Sequence, residues 1–169
     1  FTYAYRFGPS QDAAFFIYLG AHGGRALRSA LGFIGLDFYP GSLYPGVLPP
    51  GGYRAALAQA TGVVRRCLAL KAEIGPRVPI WITENGVPTV SSRHARPQAA
   101  ALSALVRAAY DYAGTFNVTD YRWFNLRDSG APNPAALFAT DGLLRASYSR
   151  KPSFWAYRRL IARWGQIAP

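Results

Sequence analysis

Val78-Pro79-Ile80-Trp81-Ile82-Thr83-Glu84-Asn85-Gly86 is the stretch whose reading decides the fold. Residues 78–83 are apolar enough to be buried on both faces of a sheet, the mark of a strand in a parallel arrangement covered by helices. The run then closes on a carboxylate and an Asn-Gly turn. Outward from this strand the hydrophobic period changes from two to about 3.6 on either side. Upstream, Tyr53, Leu57, Ala60, Val64 and Leu68 recur at helical steps, predicting a long helix that ends near Gly75. Downstream, Pro97 suits the first turn of a helix whose stripe is Leu102, Leu105, Val106, Ala109, Tyr110 and Ala113, stopped by Gly114.

The same alternation extends to both ends of the chain. Thr2–Phe7 reads as a short strand, and Ser10 as the cap of a helix from about Gln11 to Leu19. Gly20-Ala21-His22-Gly23-Gly24 reads as the stop of that helix. Phe33–Tyr39 is a strand broken by Pro40-Gly41, and Val118–Asn125 is a fourth strand. A last helix starts near Ser153 and is expected to bury Phe154, Tyr157, Ile161 and Trp164. Strand and helix thus alternate four times, which calls for parallel strands joined by right-handed crossovers. A doubly wound dinucleotide fold needs a Gly-rich turn after its first strand, and Phe7-Gly8-Pro9-Ser10 does not supply one. A complete (β/α)₈ barrel takes about 250 residues, or about 31 for each βα unit, so 169 residues with long loops correspond to four units. The fold class expected is α/β, half of a (β/α)₈ barrel, spanning residues 1–169 as one domain.

Composition narrows the function. Half of the residues are hydrophobic and no apolar run is long enough to span a bilayer, so no membrane partner is expected. The net charge is +11, but the arginines are scattered from Arg6 to Arg163 and form no basic stripe, which argues against nucleic acid. Cys67 is the only cysteine, so no internal disulfide exists, and its apolar helical setting predicts a buried structural thiol. His22 and His94 are expected to be isolated in loops, and no ligand cluster calls for a metal or other cofactor. The chain has no methionine, which leads us to expect that it starts within a longer reading frame or after processing.

Carboxylates are scarce: eight in all, with Glu73 and Glu84 the only glutamates. Glu73 lies at a helix end beside Lys71, a solvated position. Glu84 closes a buried strand, where reactive groups of parallel barrels sit, and a charge there asks for a partner or a function. The alternative is a structural carboxylate holding the turn. The period of two sets Asp37 and Tyr39 on one face of their strand, opposite Ile34, Leu36 and Phe38. It likewise groups Tyr121, Trp123 and Asn125, and leaves Asp120 and Arg122 to pair on the other face. Tyr39, Glu84 and Trp123 are therefore expected at one rim: a phenol to orient the carboxylate and an indole to face a sugar ring. In the plainer reading, Tyr39 and Trp123 merely cap the core.

Ile82-Thr83-Glu84-Asn85-Gly86 resembles the signature around the nucleophile of retaining β-glycosidases of the large (β/α)₈ clan, family 1 most closely. Leu31–Tyr39 is similar to that family's sixth strand, which ends Asn-Tyr-Tyr; Asp37 stands where the Asn would be. Tyr39 matches the tyrosine that contacts the nucleophile. Trp123-Phe124-Asn125-Leu126-Arg127-Asp128 resembles the eighth-strand signature, Trp123 matching the sugar-platform tryptophan. The stretch from Asp141-Gly142-Leu143-Leu144 to Lys151-Pro152-Ser153-Phe154-Trp155 is similar to the closing segment of many clan members. The resemblance implies double displacement with retention: Glu84 as nucleophile, and Asp37, Tyr39, Trp123 and Asn125 binding a carbohydrate substrate. In the clan an Asn-Glu pair at the fourth strand carries the acid/base. No such pair occurs here, so the resemblance implies that the chain is a C-terminal half-barrel starting at about the fifth strand. Its partner would be the N-terminal half-barrel that carries the acid. The rival reading is a non-catalytic carbohydrate-binding barrel that has kept the aromatic platform.

Overall fold

The computed structural model describes residues 1–5, 9–42, 47–89, 95–130, 136 and 138–165. Four strands form one sheet: β1 (Thr2–Ala4), β2 (Ile34–Asp37), β3 (Ile80–Glu84) and β4 (Val118–Tyr121). They lie in the order β1-β2-β3-β4 and every pair is parallel. The decisive strand therefore sits between the second and the fourth, as the alternating pattern requires. Two register shifts occur, between Leu36 and Asp37 against β3 and between Ile80 and Trp81 against β4. The strands are shorter than the sequence suggests. At β1, Arg6 and Phe7 lie outside the described residues. At β4 the chain keeps contact past the strand, through Arg122 N–H to the Ile82 carbonyl and Phe124 N–H to the Asn85 carbonyl.

Helices fill the intervals: α1 (Pro9–Ala30), α2 (Gly52–Val63), α3 (Ala69–Lys71), α4 (Ala95–Asp111), α5 (Ala113–Phe116) and α6 (Pro152–Trp164). A π-helical turn, Val64–Leu68, joins α2 to α3, so the long expected helix is continuous but ends at Lys71 rather than near Gly75. The side chains of Ile34, Leu36, Ile80 and Ile82 are fully buried in one cluster with Leu57, Ala60, Leu102 and Leu105 of the helices. Hydrophobic burial on this side fixes strand pairing and register, because a one-residue slip would turn these isoleucines and leucines away from the helices.

Several expectations are corrected. The first helical run breaks at Gly24 (φ 58°), within the Gly20–Gly24 stretch expected to stop it, but a second helical run follows directly and extends α1 to Ala30. Gly20 is required for another reason: a side chain there would lie 2.3 Å from the Lys71 carbonyl oxygen, so α1 and α3 touch backbone to backbone. His22 consequently lies in α1, its ring tilted against that of Tyr18 at 4.3 Å, and not in a loop. His94 lies outside the described residues. Cys67 is only partly buried, on the π turn. In α6 the buried positions are Ser153 and Ala156, with Phe154 and Tyr157 partly covered, whereas Ile161 is 52% exposed. The apolar stripe of that helix overruns the surface available to cover it. Glu73 is exposed and pairs with Arg28 at 2.7 Å, and Asp120 pairs with Arg122 at 3.1 Å. Among the described residues no helix is long and apolar enough to cross a membrane, and no group of His, Cys, Asp and Glu is placed to hold a metal ion.

Candidate active site

Glu84 ends β3 at the carboxyl end of the sheet, partly exposed. The Tyr39 hydroxyl, just past β2, donates to Glu84 Oε2 at 2.8 Å. Burial and the bond to Glu84 push the Tyr39 phenol up, so it stays a donor throughout the physiological range. Asp37, the register partner of Glu84 on β2, is half buried and accepts from the Thr83 hydroxyl at 2.8 Å. Desolvation raises its pKa, the Thr83 bond opposes that, and the charge of Glu84 adds to it. Two carboxylates on adjacent parallel strands thus take different donors: a phenol for Glu84, an aliphatic hydroxyl for Asp37.

The turn after Glu84 is held from below. Asn85 is fully buried; its amide donates to the Phe38 carbonyl, and its Oδ1 accepts from the Tyr121 hydroxyl at 2.7 Å. Tyr121 in turn accepts on its carbonyl from Tyr157 of α6 at 3.1 Å. Tyr121 therefore points into the layer under the turn. Gly86 is fixed by close approach: a Cβ there would meet the Phe124 carbonyl oxygen at 2.6 Å and Asp141 Oδ2 at 2.7 Å. This gives the Asn-Gly dipeptide a double reason, with Asn as a buried strut and Gly as the only residue thin enough to pass.

The aromatic residues are not arranged as the period of two suggests. Trp123 is only 9% exposed, a member of the core cluster, with its indole N–H donating to the Asp141 carbonyl at 2.8 Å. It does not present an open face beside Glu84. Phe124 and Phe138 gather around Tyr39 instead: their rings lie 6.4 and 5.0 Å from that of Tyr39 and 6.0 Å from each other, and Phe138 is 40% exposed. The register shift in β4 is the physical cause, since it turns the alternation by one residue between Ile80 and the strand end. Asn125 is partly exposed and its carbonyl accepts from the Leu143 amide. No period marks Phe138, which stands in a loop, and the period of two sets Phe124 on the face opposite Trp123.

Behind the turn lies a buried polar network that sequence reasoning passed over. Lys151, at the start of α6, is almost wholly buried and makes an ion pair with Asp128 at 2.7 Å. It also donates to the Thr89 hydroxyl and the Thr140 carbonyl, both at 2.9 Å. Gln98 of α4 donates to the Val87 and Asp141 carbonyls and accepts from Ser153. These bonds fasten the segment after Thr140 and the start of α6 against the β3–α4 connection. A buried, fully bonded lysine specifies one arrangement of these loops, because each misplacement strands a charge.

No protein-family model and no curated protein matches the chain. Solved structures do. A GH2 β-galacturonidase from Eisenbergiella tayi, bound to glycerol, superposes with a TM-score of 0.62 at 13% identity over 85% of this chain and 26% of its own. A GH5_18 protein from Streptomyces cattleya in complex with Manβ1-4GlcNAc gives 0.59 at 20% identity, over 82% of this chain and 32% of its own. A β-D-glucuronidase of Dictyoglomus thermophilum gives 0.62 at 14% identity, over 99% and 26%. At such identities the likeness shows the fold: four parallel βα units matching part of the (β/α)₈ barrel of glycoside hydrolases. The chain spans between a quarter and a third of the length of these structures.

Proposed function

We propose that this chain is the C-terminal half of the catalytic barrel of a retaining glycoside hydrolase, with Glu84 as nucleophile. The observation that carries the reading is the Tyr39–Glu84 hydrogen bond at the carboxyl end of a parallel sheet. A nucleophilic carboxylate must be ionised, and a phenol that keeps its proton stabilises it without neutralising it. Glu84 attacks the anomeric carbon; the leaving oxygen takes its proton from an acid outside this chain, in an N-terminal half-barrel, and water then cleaves the glycosyl ester. Such pairs hold their carboxyl groups about 5–5.5 Å apart across the bond. Tyr39, Asp37 and Asn125 line the sugar, and its apolar face lies on Phe124 and Phe138. Trp123 supports this rim from beneath through Asp141. The glycoside hydrolases of like fold, in complex with carbohydrate ligands, support a carbohydrate substrate.

A carbohydrate-binding barrel without chemistry would have no need of a phenol-bonded glutamate at the strand end. The test is covalent. A complete barrel containing this chain, treated with a 2-deoxy-2-fluoro glycoside bearing a good leaving group, should carry the label on Glu84 in a peptide map. Label on another carboxylate removes Glu84 from the mechanism.

A further inference from the structure

Asp141 is 1% exposed, and both its carboxyl oxygens are buried without a hydrogen-bond partner among the described residues. A buried carboxylate in that position is expensive, since ionisation calls for donors. The side-chain donors nearby are directed to other acceptors. Lys151 directs its three N–H groups to Asp128, Thr89 and Thr140. Trp123 and Gln98 donate to the backbone carbonyl of Asp141, not to its side chain. The Asn85 amide is bound to Phe38. What shares the space over Gly86 with the carboxyl is an acceptor: a Cβ on Gly86 would lie 2.7 Å from Asp141 Oδ2 and 2.6 Å from the Phe124 carbonyl oxygen. A neutral carboxyl needs one acceptor and no donor, which is what this site offers.

We propose that Asp141 is a positioning residue that works protonated, donating its hydrogen to the Phe124 carbonyl across Gly86 and so clamping the turn that carries Glu84 to the rim aromatic Phe124. The other charged and titratable groups facing it are Lys151, at the start of α6, and Asp128, after β4. Tyr39, just past β2, completes the set among the described residues. Burial pushes Asp141 up to about 7; Lys151 opposes the shift and Asp128 adds to it. Loss of the proton above that pH sets a carboxylate against a carbonyl lone pair and releases the clamp.

Carbon-13 and nitrogen-15 NMR of the whole chain between pH 4 and 9 tests this, with Asp141→Asn assigning the carboxyl signal. One aspartate carboxyl should titrate with a midpoint near 7, and the Gly86 and Phe124 amide signals should move with the same midpoint in the wild type. They should stay still in Asp141→Asn. A midpoint below about 5, or Gly86 and Phe124 signals indifferent to that titration, overturns the proposal; the wild-type titration alone decides should the variant not fold. The clamp concerns the turn, and only its consequence for turnover rests on the nucleophile reading above. A fluoroglycoside label away from Glu84 would defeat that reading and leave the clamp intact, while an indifferent Gly86 would do the reverse.

Discussion

The two sides of the same strands are built differently. On the helix side, Ile34, Leu36, Ile80 and Ile82 are sealed against Leu57, Leu102 and Leu105 with no exposure at all. On the opposite side, Phe33 stacks on Trp81 at 3.9 Å and the Trp81 indole donates to Thr119, yet these side chains remain partly or wholly exposed. The helix side is completed by contacts within this chain. The other is lined with aromatic and polar groups that the described residues do not cover, and it leads up to Glu84. Stability is thus concentrated on one side of the sheet and the proposed chemistry on the other, so substitutions should separate cleanly into two kinds.

The largest effect expected is on turnover. Glu84→Gln preserves shape and removes the nucleophile, so kcat of a complete barrel should fall on the order of a thousandfold or more with its thermal transition unchanged. Near-normal turnover would break the functional side of the comparison. Ile82→Ala, two residues away but facing the helices, should cost about 2–5 kcal/mol in urea unfolding of the chain. A much smaller loss would mean that the helix side is not sealed.

The rim should also imprint a pH dependence on stability. Asp141 holds its proton up to about pH 7 when folded and releases it near 3.8 when unfolded. Between those values the folded chain binds more protons, so unfolding free energy falls as pH rises from about 4 to 7, then levels off. The drop should be of the order of a few kcal/mol and absent in Asp141→Asn; equal slopes for both proteins would refute it. Tyr39→Phe removes one donor from a charged acceptor, worth about 1.5–3 kcal/mol, so kcat should drop tenfold or more with little change in fold. The smallest effect is expected for Trp81→Ala on the chain alone, about 1 kcal/mol of lost stacking. A cost rivalling Ile82→Ala would erase the distinction between the two sides.

Periodicity and turn chemistry determined a good deal by themselves. The alternation of strand and helix, the central place of β3, the separation of Ile34, Leu36 and Phe38 from Asp37 and Tyr39, and Glu84 at a strand end are all local in the chain. Local pattern reports them because a strand or helix writes its own period into the sequence. Tertiary structure alone decided the rest. A register shift against β3 accompanies the burial of Trp123 in the core, and no period within β4 records its partner's offset. Gly20 and Gly86 owe their places to backbones and carbonyls from distant segments, which a reading confined to neighbours does not see. Lys151, Asp128 and Asp141 are ordinary surface residues until loops far apart in sequence enclose them. Burial of a charge depends on what packs over it, and that is fixed only when the whole chain has folded.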